Sequence, residues 1–347
     1  MRSYEELIVE VIDVRGSYYQ IGLQQSKVLL SHSHPIQNGF PNLTNKTNVQ
    51  MAKQLLQFHC PSLVQEMEGL AVGLTQTTDS VIKMYSGYNI TFPEMGCTSF
   101  VQNGKYIRNY DFSPTLYDAR LVFSNPMNGY ASVGFSQQII GRLDGMNEFG
   151  LVVGLHFVNS EYHDEGFIAS TIVRILLEQC KNIEEALKLI RELPHGYCYN
   201  YSMTDQSGQS IVVEASPQKQ EEKYGNPLIC TNHFEATSMK EKNKKNIQGS
   251  VNRKHFLNSL VEKNLTTMAT YRHFNNGNSP LFFKHYKEYF GTLHTVIYSP
   301  KLLEVIVGIG EDAEPIIISF KDYLDEALTL PKRLTGRIYP HNEDGIE

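Results

Sequence analysis

The most constraining feature of this sequence is the way its strand-like runs follow one another without helices between them. From residue 97 to residue 157, short β-like runs alternate with turn signals, and the first pair is joined by Asn103-Gly104, a dipeptide typical of tight hairpins. Two helical segments follow, at residues 168–180 and 182–193, and strands then return. Strands that come in runs pair as antiparallel hairpins, whereas parallel sheets need a helix between successive strands. The sequence therefore predicts an α+β fold with antiparallel sheets and excludes a doubly wound βαβ fold.

The part of the chain before residue 96 has a different character. A short strand-like run, Leu7–Val14, is followed by apolar residues with helical spacing. Residues 47–72 carry a second apolar stripe, which Pro61 divides into two helices. We therefore predict a mainly helical first segment that meets a β-rich remainder close to Cys97.

Composition and charge exclude several classes of function. The chain has 347 residues and a formal net charge of −6, so it has no general attraction for nucleic acids or anionic membranes. It contains no charge-free apolar run of 18 residues and no apolar core of a secretory signal at its start, which favours a cytoplasmic protein. Neither a phosphate-binding glycine motif nor a metal-ligand spacing of histidines occurs, so we expect no cofactor and no metal.

Among the five cysteines, Cys97 is the candidate for a reactive thiol. Their odd number and the absence of a CxxC pair argue against a disulfide framework and a zinc ribbon. Cys97 lies where the helical segment meets the first hairpin, and the returning strand brings Arg108 and Asp111 close to it. An arginine beside a thiol stabilises the reactive thiolate. On spacing alone, a small buried cysteine with a surface Arg and Asp is an equally good interpretation.

Four ordered motifs resemble a known family. Gly96-Cys97-Thr98, followed eleven residues after the cysteine by RNYDF, resembles the N-terminal nucleophile (Ntn) hydrolases. Within them it is similar to the group that joins choloylglycine hydrolases, penicillin V acylase and the fungal isopenicillin N acyltransferase. DGMNEFGLVVGLHF at 144–157, CTNHF at 230–234 and the Asn252-Arg253 pair resemble further segments of this group. The similarity extends over most of residues 15–310 and includes a prosegment like that of the acyltransferase branch.

The resemblance implies a particular activation chemistry. The chain would be cut between Gly96 and Cys97, which leaves Cys97 with both a thiol and a free α-amine. An α-amine has a reference pKa of roughly 7.7–8.0 and can accept the thiol proton near neutral pH. The nucleophile would then carry its own base, so no catalytic histidine is required. Gly96 lacks a Cβ and tolerates the distorted backbone that attack on its carbonyl demands.

The remaining site residues are also implied by the resemblance. Asp111 would hold the new α-amine, and Arg108 would lie beside the thiol. Asn232 would donate its side-chain N–H to the oxyanion, and the backbone N–H of His156 would be the second donor. Loss of one such donor typically costs about a hundredfold or more in rate. At His156 the sequence departs from the family, which usually has Asn there.

Two arginines compete for a further role in the site. Arg253, at the start of a predicted helix, would contact the site or merely an acidic neighbour. Arg272, in TYRHF, is the nearest match to another arginine that the hydrolases carry later in the chain. The sequence does not decide between them.

The resemblance implies an αββα sandwich of two antiparallel sheets, preceded by a mainly helical prosegment. Residues 1–96 would stay bound as a small subunit after self-cleavage, and residues 97–347 would form the catalytic domain. The enzyme would act on a small linear amide or an acyl thioester through an acyl-Cys97 intermediate. Water or an amine would accept the acyl group, so hydrolase and acyltransferase both remain open. A homo-oligomer is compatible with the sequence, whereas nucleic acid and membrane partners are not expected.

Two other classes of function compete with this hypothesis. A papain-like cysteine protease would pair Cys97 with a histidine, but the sequence lacks that family's Gly- and Trp-containing context and has no Trp at all. A catalytically inactive binding protein on the same fold is the second alternative. The presence of Cys97, Arg108, Asp111 and Asn232 together argues against such a loss of activity.

Overall fold

Two β-sheets lie face to face in the computed structural model, with helices on both outer sides. The structure describes residues 4–31, 43–91, 93–288 and 290–339. Within these ranges no helix is long and apolar enough to cross a membrane. The helices are α1 (Tyr18–Ser31), α2 (Val49–His59), α3 (Pro61–Leu74), α4 (Thr78–Tyr85), α5 (Ala169–Gln179), α6 (Ile183–Glu192), α7 (Gln248–Val261), α8 (Thr267–Asn275) and α9 (Phe320–Leu324).

The strands form a large and a small sheet. The large sheet has the order β11-β10-β9-β8-β7-β5-β4-β1-β17, with β6 paired to β5, and the small sheet has the order β12-β2-β3-β14-β15-β16, with β13 paired to β14. The strands are β1 (Glu5–Gly16), β2 (Gly96–Gln102), β3 (Lys105–Phe112), β4 (Arg120–Pro126), β5 (Ser132–Gln137), β6 (Gly141–Arg142), β7 (Asp144–Asn147), β8 (Val152–Phe157), β9 (Tyr199–Thr204), β10 (Ser210–Ala215), β11 (Gln220–Tyr224), β12 (Leu228–Cys230), β13 (Lys284–His285), β14 (Phe290–Ser299), β15 (Glu304–Ile309), β16 (Ile316–Ser319) and β17 (Arg333–Ile338).

The layers stack as helix, sheet, sheet and helix. Helix α5 packs on β6, β7 and β8 of the large sheet, whereas α7 and α8 pack on the outer side of the small sheet. On that side Phe100 and Ile107 of the hairpin form an apolar cluster with Leu257 of α7 and Phe274 of α8. The larger core lies between the sheets and continues beneath α5. The predicted αββα sandwich is confirmed.

The hairpin that carries Cys97 follows the predicted geometry. Asn103 and Gly104 both have positive φ angles, 53° and 68°, as a tight hairpin turn requires. The resulting register places Cys97 opposite Tyr110, and Ser99 opposite Arg108. Because side chains alternate along a strand, Arg108 and Cys97 lie on the same face of the hairpin, diagonally across it.

The N-terminal segment contains a parallel strand pair, which departs from the predicted antiparallel sheets. The predicted strand Leu7–Val14 is the longer β1, which pairs parallel with β4 and antiparallel with β17. A long connection, residues 17–119, separates β1 from β4, so no hairpin constrains their direction. The large sheet therefore contains one parallel pair and is completed by a strand from the first 96 residues.

Buried ion pairs fix the same segment to the rest of the molecule. Glu66 of α3 accepts a hydrogen bond from Arg174 of α5 at 2.5 Å and another from Gln25 of α1. Arg174 also donates to Glu178 at 2.5 Å, and all four side chains are buried. A charged group this deep in the protein is tolerated only when it is paired, so Glu66 and Arg174 hold the helices α3 and α5 in a fixed relation.

We predict that Glu66→Ala destabilises the protein by about 3–5 kcal/mol, because it leaves part of the Arg174 charge buried and unpaired. Urea unfolding followed by circular dichroism measures this change. The matched control is Glu68→Ala on the exposed face of the same helix, which should alter the unfolding free energy by less than about 0.5 kcal/mol. Equal effects of the two substitutions would contradict the role of the ion pair.

Candidate active site

Cys97 lies near the start of β2, and its side chain is fully buried. Its Sγ accepts a hydrogen bond from Nη2 of Arg108 at 2.9 Å. The same arginine reaches across to the large sheet, where Nη2 donates to the Leu155 carbonyl at 2.7 Å and Nη1 to Asp144 at 2.6 Å. The thiol therefore faces the space between the two sheets, and Arg108 lies beside it as predicted.

Burial, however, has a larger effect on the pKa of the Cys97 thiol than the charge of Arg108 has. Removal of water raises the pKa of the Cys97 thiol to about 12, although Arg108 acts in the opposite direction. In the intact chain the effect of burial on the thiol pKa is therefore larger than the opposing effect of Arg108. Asp144 supports Arg108 and accepts a further hydrogen bond from the Tyr298 hydroxyl at 2.6 Å.

A second set of polar groups surrounds the backbone of Cys97. The Cys97 N–H donates to Oδ1 of Asn232 at 3.0 Å. Arg253 donates from Nη2 to the same Oδ1 at 2.9 Å, and from Nη1 to the Cys97 carbonyl at 3.1 Å and to the Thr98 hydroxyl at 2.7 Å. The predicted residues Asn232 and Arg253 thus meet at the bond between Gly96 and Cys97.

Asp111 lies opposite Gly96 in the hairpin register and is fully buried. Its Oδ1 accepts a hydrogen bond from Thr292 at 2.6 Å, while Oδ2 lies 3.5 Å from Nη1 of Arg253 and accepts no hydrogen bond from the described residues. Burial raises the pKa of Asp111, and Arg253 opposes this rise. The Oδ2 atom of Asp111 can therefore still accept a hydrogen bond from a donor close to the peptide bond between Gly96 and Cys97.

His156 lies near the end of β8, and its side chain is fully buried. Its ring lies between the sheets, where Nε2 is 3.1 Å from the Ser99 hydroxyl and 2.8 Å from the Ser202 hydroxyl. Burial lowers its pKa well below the ordinary value, so the ring is neutral. The Nε2 atom of His156 is thus within hydrogen-bond distance of two hydroxyls, whereas the papain-like interpretation requires a histidine paired with the Cys97 thiol.

The two candidate arginines lie in different places. Arg253 is buried on α7 with its guanidinium in the site. Arg272 is exposed on α8 and lines a separate surface cavity with Asp312 and Pro315. The other four cysteines are buried and free, and Cys60 and Cys180 belong to the main core, as predicted.

A cleft of about 540 Å³ lies beside Gly96. Asn232 and Arg253 are among its polar lining residues, and Phe112, Leu116 and Phe283 supply apolar surface. The last residues of the N-terminal segment, Pro93 to Gly96, also line it. Among the described residues no three His, Cys, Asp or Glu side chains come together to hold a metal ion.

Two residues of the site were not found from the sequence. Asp144 opens the DGMNE motif, but only the tertiary structure shows that it is the partner of Arg108. Asn159 lies just beyond the GLHF segment and brackets Met95: it accepts from the Met95 N–H at 3.2 Å and donates to the Met95 carbonyl at 3.1 Å. No local pattern marks Asn159, since its role depends on a segment 64 residues earlier.

Comparison with known families agrees with this geometry. The family model described as acyl-coenzyme A:6-aminopenicillanic acid acyl-transferase matches residues 101–313, more than half of the chain. The chain therefore belongs to this family, within the Ntn hydrolase group. A search of curated proteins gave no match.

A search of solved structures found chains that are similar to this one. A mutant conjugated bile acid hydrolase from Clostridium perfringens is 14% identical, with 66% of this chain and 93% of that chain covered and a TM-score of 0.46. Penicillin V acylase from Agrobacterium tumefaciens is 16% identical, with 65% and 86% covered and a TM-score of 0.43. A second variant of the Clostridium perfringens hydrolase is 12% identical, with 72% and 100% covered and a TM-score of 0.47.

We predict that Asp144→Asn destabilises the protein in a pH-dependent way. Burial alone would raise the pKa of Asp144, but Arg108, His294 and Tyr298 hold it below its ordinary value. A carboxyl group whose pKa is lower in the folded than in the unfolded state stabilises the protein. This stabilisation is fully present above roughly pH 4 and is lost as the pH falls through the folded-state pKa.

The difference in unfolding free energy between wild type and Asp144→Asn should therefore be about 3–5 kcal/mol at pH 7 and should shrink below pH 4. Urea titrations at pH 3, 4, 5 and 7 measure this difference. The exposed Asp79→Asn serves as control and should show little effect at any pH. A difference that stays constant with pH would contradict the assignment.

Proposed function

We propose that this protein is a self-processing cysteine Ntn enzyme that acts on linear amide C–N bonds through an acyl-Cys97 thioester. The observation that carries the proposal is that different polar groups contact the side chain and the backbone of Cys97. Arg108 contacts the thiol of Cys97, whereas Asn232 and Arg253 contact its backbone. Membership of an acyltransferase family supports amide chemistry at such a site.

Self-processing would begin with attack of the Cys97 sulfur on the Gly96 carbonyl carbon. The C–N bond between Gly96 and Cys97 then breaks, and the thiol proton passes to the departing nitrogen, which becomes the α-amine. Water hydrolyses the resulting thioester and yields a Gly96 carboxylate and a free thiol. Asn232, whose Oδ1 already accepts from this nitrogen, would hold the new amine, and the second oxygen of Asp111 would accept another of its protons.

The same groups would then process a substrate. The α-amine accepts the thiol proton as sulfur attacks the substrate carbonyl, and it returns the proton to the leaving amine. Once the segment before Cys97 moves away, water reaches the thiol, and the burial that raises its pKa decreases. Arg108, at 2.9 Å, would then stabilise the thiolate.

Two donors would stabilise the oxyanion. Asn232 donates one Nδ2 hydrogen to the Phe157 carbonyl at 2.9 Å, and the other hydrogen would be directed to the oxyanion. The backbone N–H of His156 is the second proposed donor. Because hydrolysis and acyl transfer share every step up to the thioester, the acceptor, water or an amine, is determined by the substrate that occupies the cleft.

The first 96 residues would remain attached after cleavage, since β1 and the Glu66–Arg174 pair join them to the catalytic part. We place the enzyme in a reducing cytoplasm, where Cys97 would stay a thiol. Its substrate would be a small amide or acyl thioester. An inactive binding protein is the second candidate, and the following experiment separates the two.

We predict that the purified wild-type chain consists of two pieces, of 96 and 251 residues, and that Cys97→Ala remains one chain of 39.5 kDa. Intact-mass analysis and a denaturing gel measure the products. Cys198→Ala, which removes another buried thiol, is the matched control and should process normally. A wild-type chain that stays whole under all conditions, with a thiol inert to acyl donors, would contradict the proposal.

The two arginines provide a further control within the same assay. Arg253→Ala removes the contacts to the Cys97 carbonyl and Asn232, so processing should slow by about a hundredfold. Arg272→Ala alters an exposed side chain of α8 and should leave the rate unchanged. A histidine substitution that abolishes activity while leaving the fold intact would instead favour a papain-like mechanism.

A further inference from the structure

The cleft beside Cys97 is partly lined by the residues that precede Cys97 in the chain. Pro93, Glu94, Met95 and Gly96 all contribute to its lining, and Met95 is almost completely buried there. In the self-cleavage proposed above, Gly96 is the acyl residue that the Cys97 sulfur attacks. The residues that precede Gly96 therefore occupy the space of the acyl side of the reacting bond.

Any later substrate must bring its carbonyl to the same sulfur. Its acyl group therefore extends into the same part of the cleft, and the residues that contact Glu94 and Met95 in the intact chain contact the substrate afterwards. We propose that the enzyme prefers acyl groups that carry a carboxylate, and that Lys244 is the residue that recognises it. This inference rests on the proposed function and adds the chemical class of the acyl group.

The charges of the cleft support this preference. Lys244 donates to the Glu94 carboxylate at 3.0 Å and lines the cleft. Among the described lining residues, Glu94 is the one acidic side chain, and Lys244 and Arg253 are the basic ones. Arg253 is already engaged with Asn232 and the Cys97 carbonyl. When Glu94 leaves, Lys244 is the cation whose carboxylate partner has been removed.

The residues that line the cleft also indicate what kind of chain between the carboxylate and the carbonyl of the acyl group would fit. Phe112, Leu116, Ile247 and Phe283 provide apolar surface in the cleft that Met95 also lines. Gly249 lines the same cleft, and a Cβ built on it would meet no atom within 4 Å, so room remains beside this residue. The geometry fits an acyl group with an unbranched carbon next to the carbonyl, an apolar middle and a distal carboxylate.

The chain end can be displaced once it has been cut. Upstream, the Thr91 N–H bonds to the Leu43 carbonyl, and the Ile90 carbonyl accepts from Tyr197. Nearer the cut, the hydrogen bonds of Met95 to Asn159 and the exposed ion pair of Glu94 hold the end in place. An exposed ion pair contributes little free energy, so a substrate at high concentration can replace it.

The test uses the mature wild-type enzyme and three fluorogenic amides, acetyl-Glu-Met-Gly-, acetyl-Gln-Met-Gly- and acetyl-Lys-Met-Gly-aminomethylcoumarin. We expect kcat/KM for the Glu probe to exceed that for the Gln probe by about threefold to fivefold, the range of a half-exposed ion pair. Lys244→Glu should reverse the order and favour the Lys probe. Lys245→Glu, which changes the exposed neighbour outside the cleft lining, should keep the wild-type order.

The outcomes separate this inference from the proposed function. Equal turnover of all three probes, or an unchanged order in Lys244→Glu, overturns the role of Lys244 and leaves the amide chemistry standing. If no probe is cleaved, protection of Cys97 from alkylation by each probe is measured instead. Stronger protection by the Glu probe supports the inference and equal protection overturns it, whereas a chain that neither self-cleaves nor accepts acyl donors contradicts the proposed function itself.

Discussion

The arrangement of the site depends on one buried guanidinium. Arg108 joins the two sheets, because it contacts the Cys97 sulfur on the small sheet and Asp144 and the Leu155 carbonyl on the large sheet. A buried arginine without a carboxylate would be costly, so Asp144 is required for Arg108 to remain in this position. Tyr298 in turn positions Asp144. The position of the thiol is therefore set by the packing of both sheets and not by the hairpin alone.

The side chain and the backbone of Cys97 contact two different sets of residues, because they point in different directions from the β-strand. Its side chain points between the sheets toward Arg108, while Asp111, Asn232 and Arg253 gather around its backbone. A nucleophile that carries its own base needs both environments, one for sulfur and one for nitrogen. In the intact chain the Cys97 nitrogen is an amide, and burial raises the pKa of the thiol to about 12. Under the proposed function, this is the state of the chain before cleavage.

Local signals predicted much of this structure, and long-range contacts account for what they missed. The Asn103-Gly104 turn, Pro61 at the first position of α3 and the Asn182 cap of α6 each depend on neighbouring residues and were found from the sequence. The pairing of β1 with β4, and the orientations of Asn159 and the His156 ring, depend on residues distant in sequence. The motifs led to Cys97, Arg108 and Asn232 because family resemblance preserves such distant relations, which periodicity does not encode.

The central claim is that Cys97 becomes an N-terminal residue whose thiol carries the acyl group. The most direct measurement is acid-quenched mass spectrometry of the wild-type enzyme after mixing with acetyl-Glu-Met-Gly benzyl thioester, followed by peptide mapping. We predict a fragment that begins with Cys97, has a free α-amine and bears the acyl group on sulfur, and we expect hydroxylamine to remove the adduct. An adduct on another residue, or a Cys97 that is still joined to Gly96 in an enzyme that turns over amides, would contradict this claim.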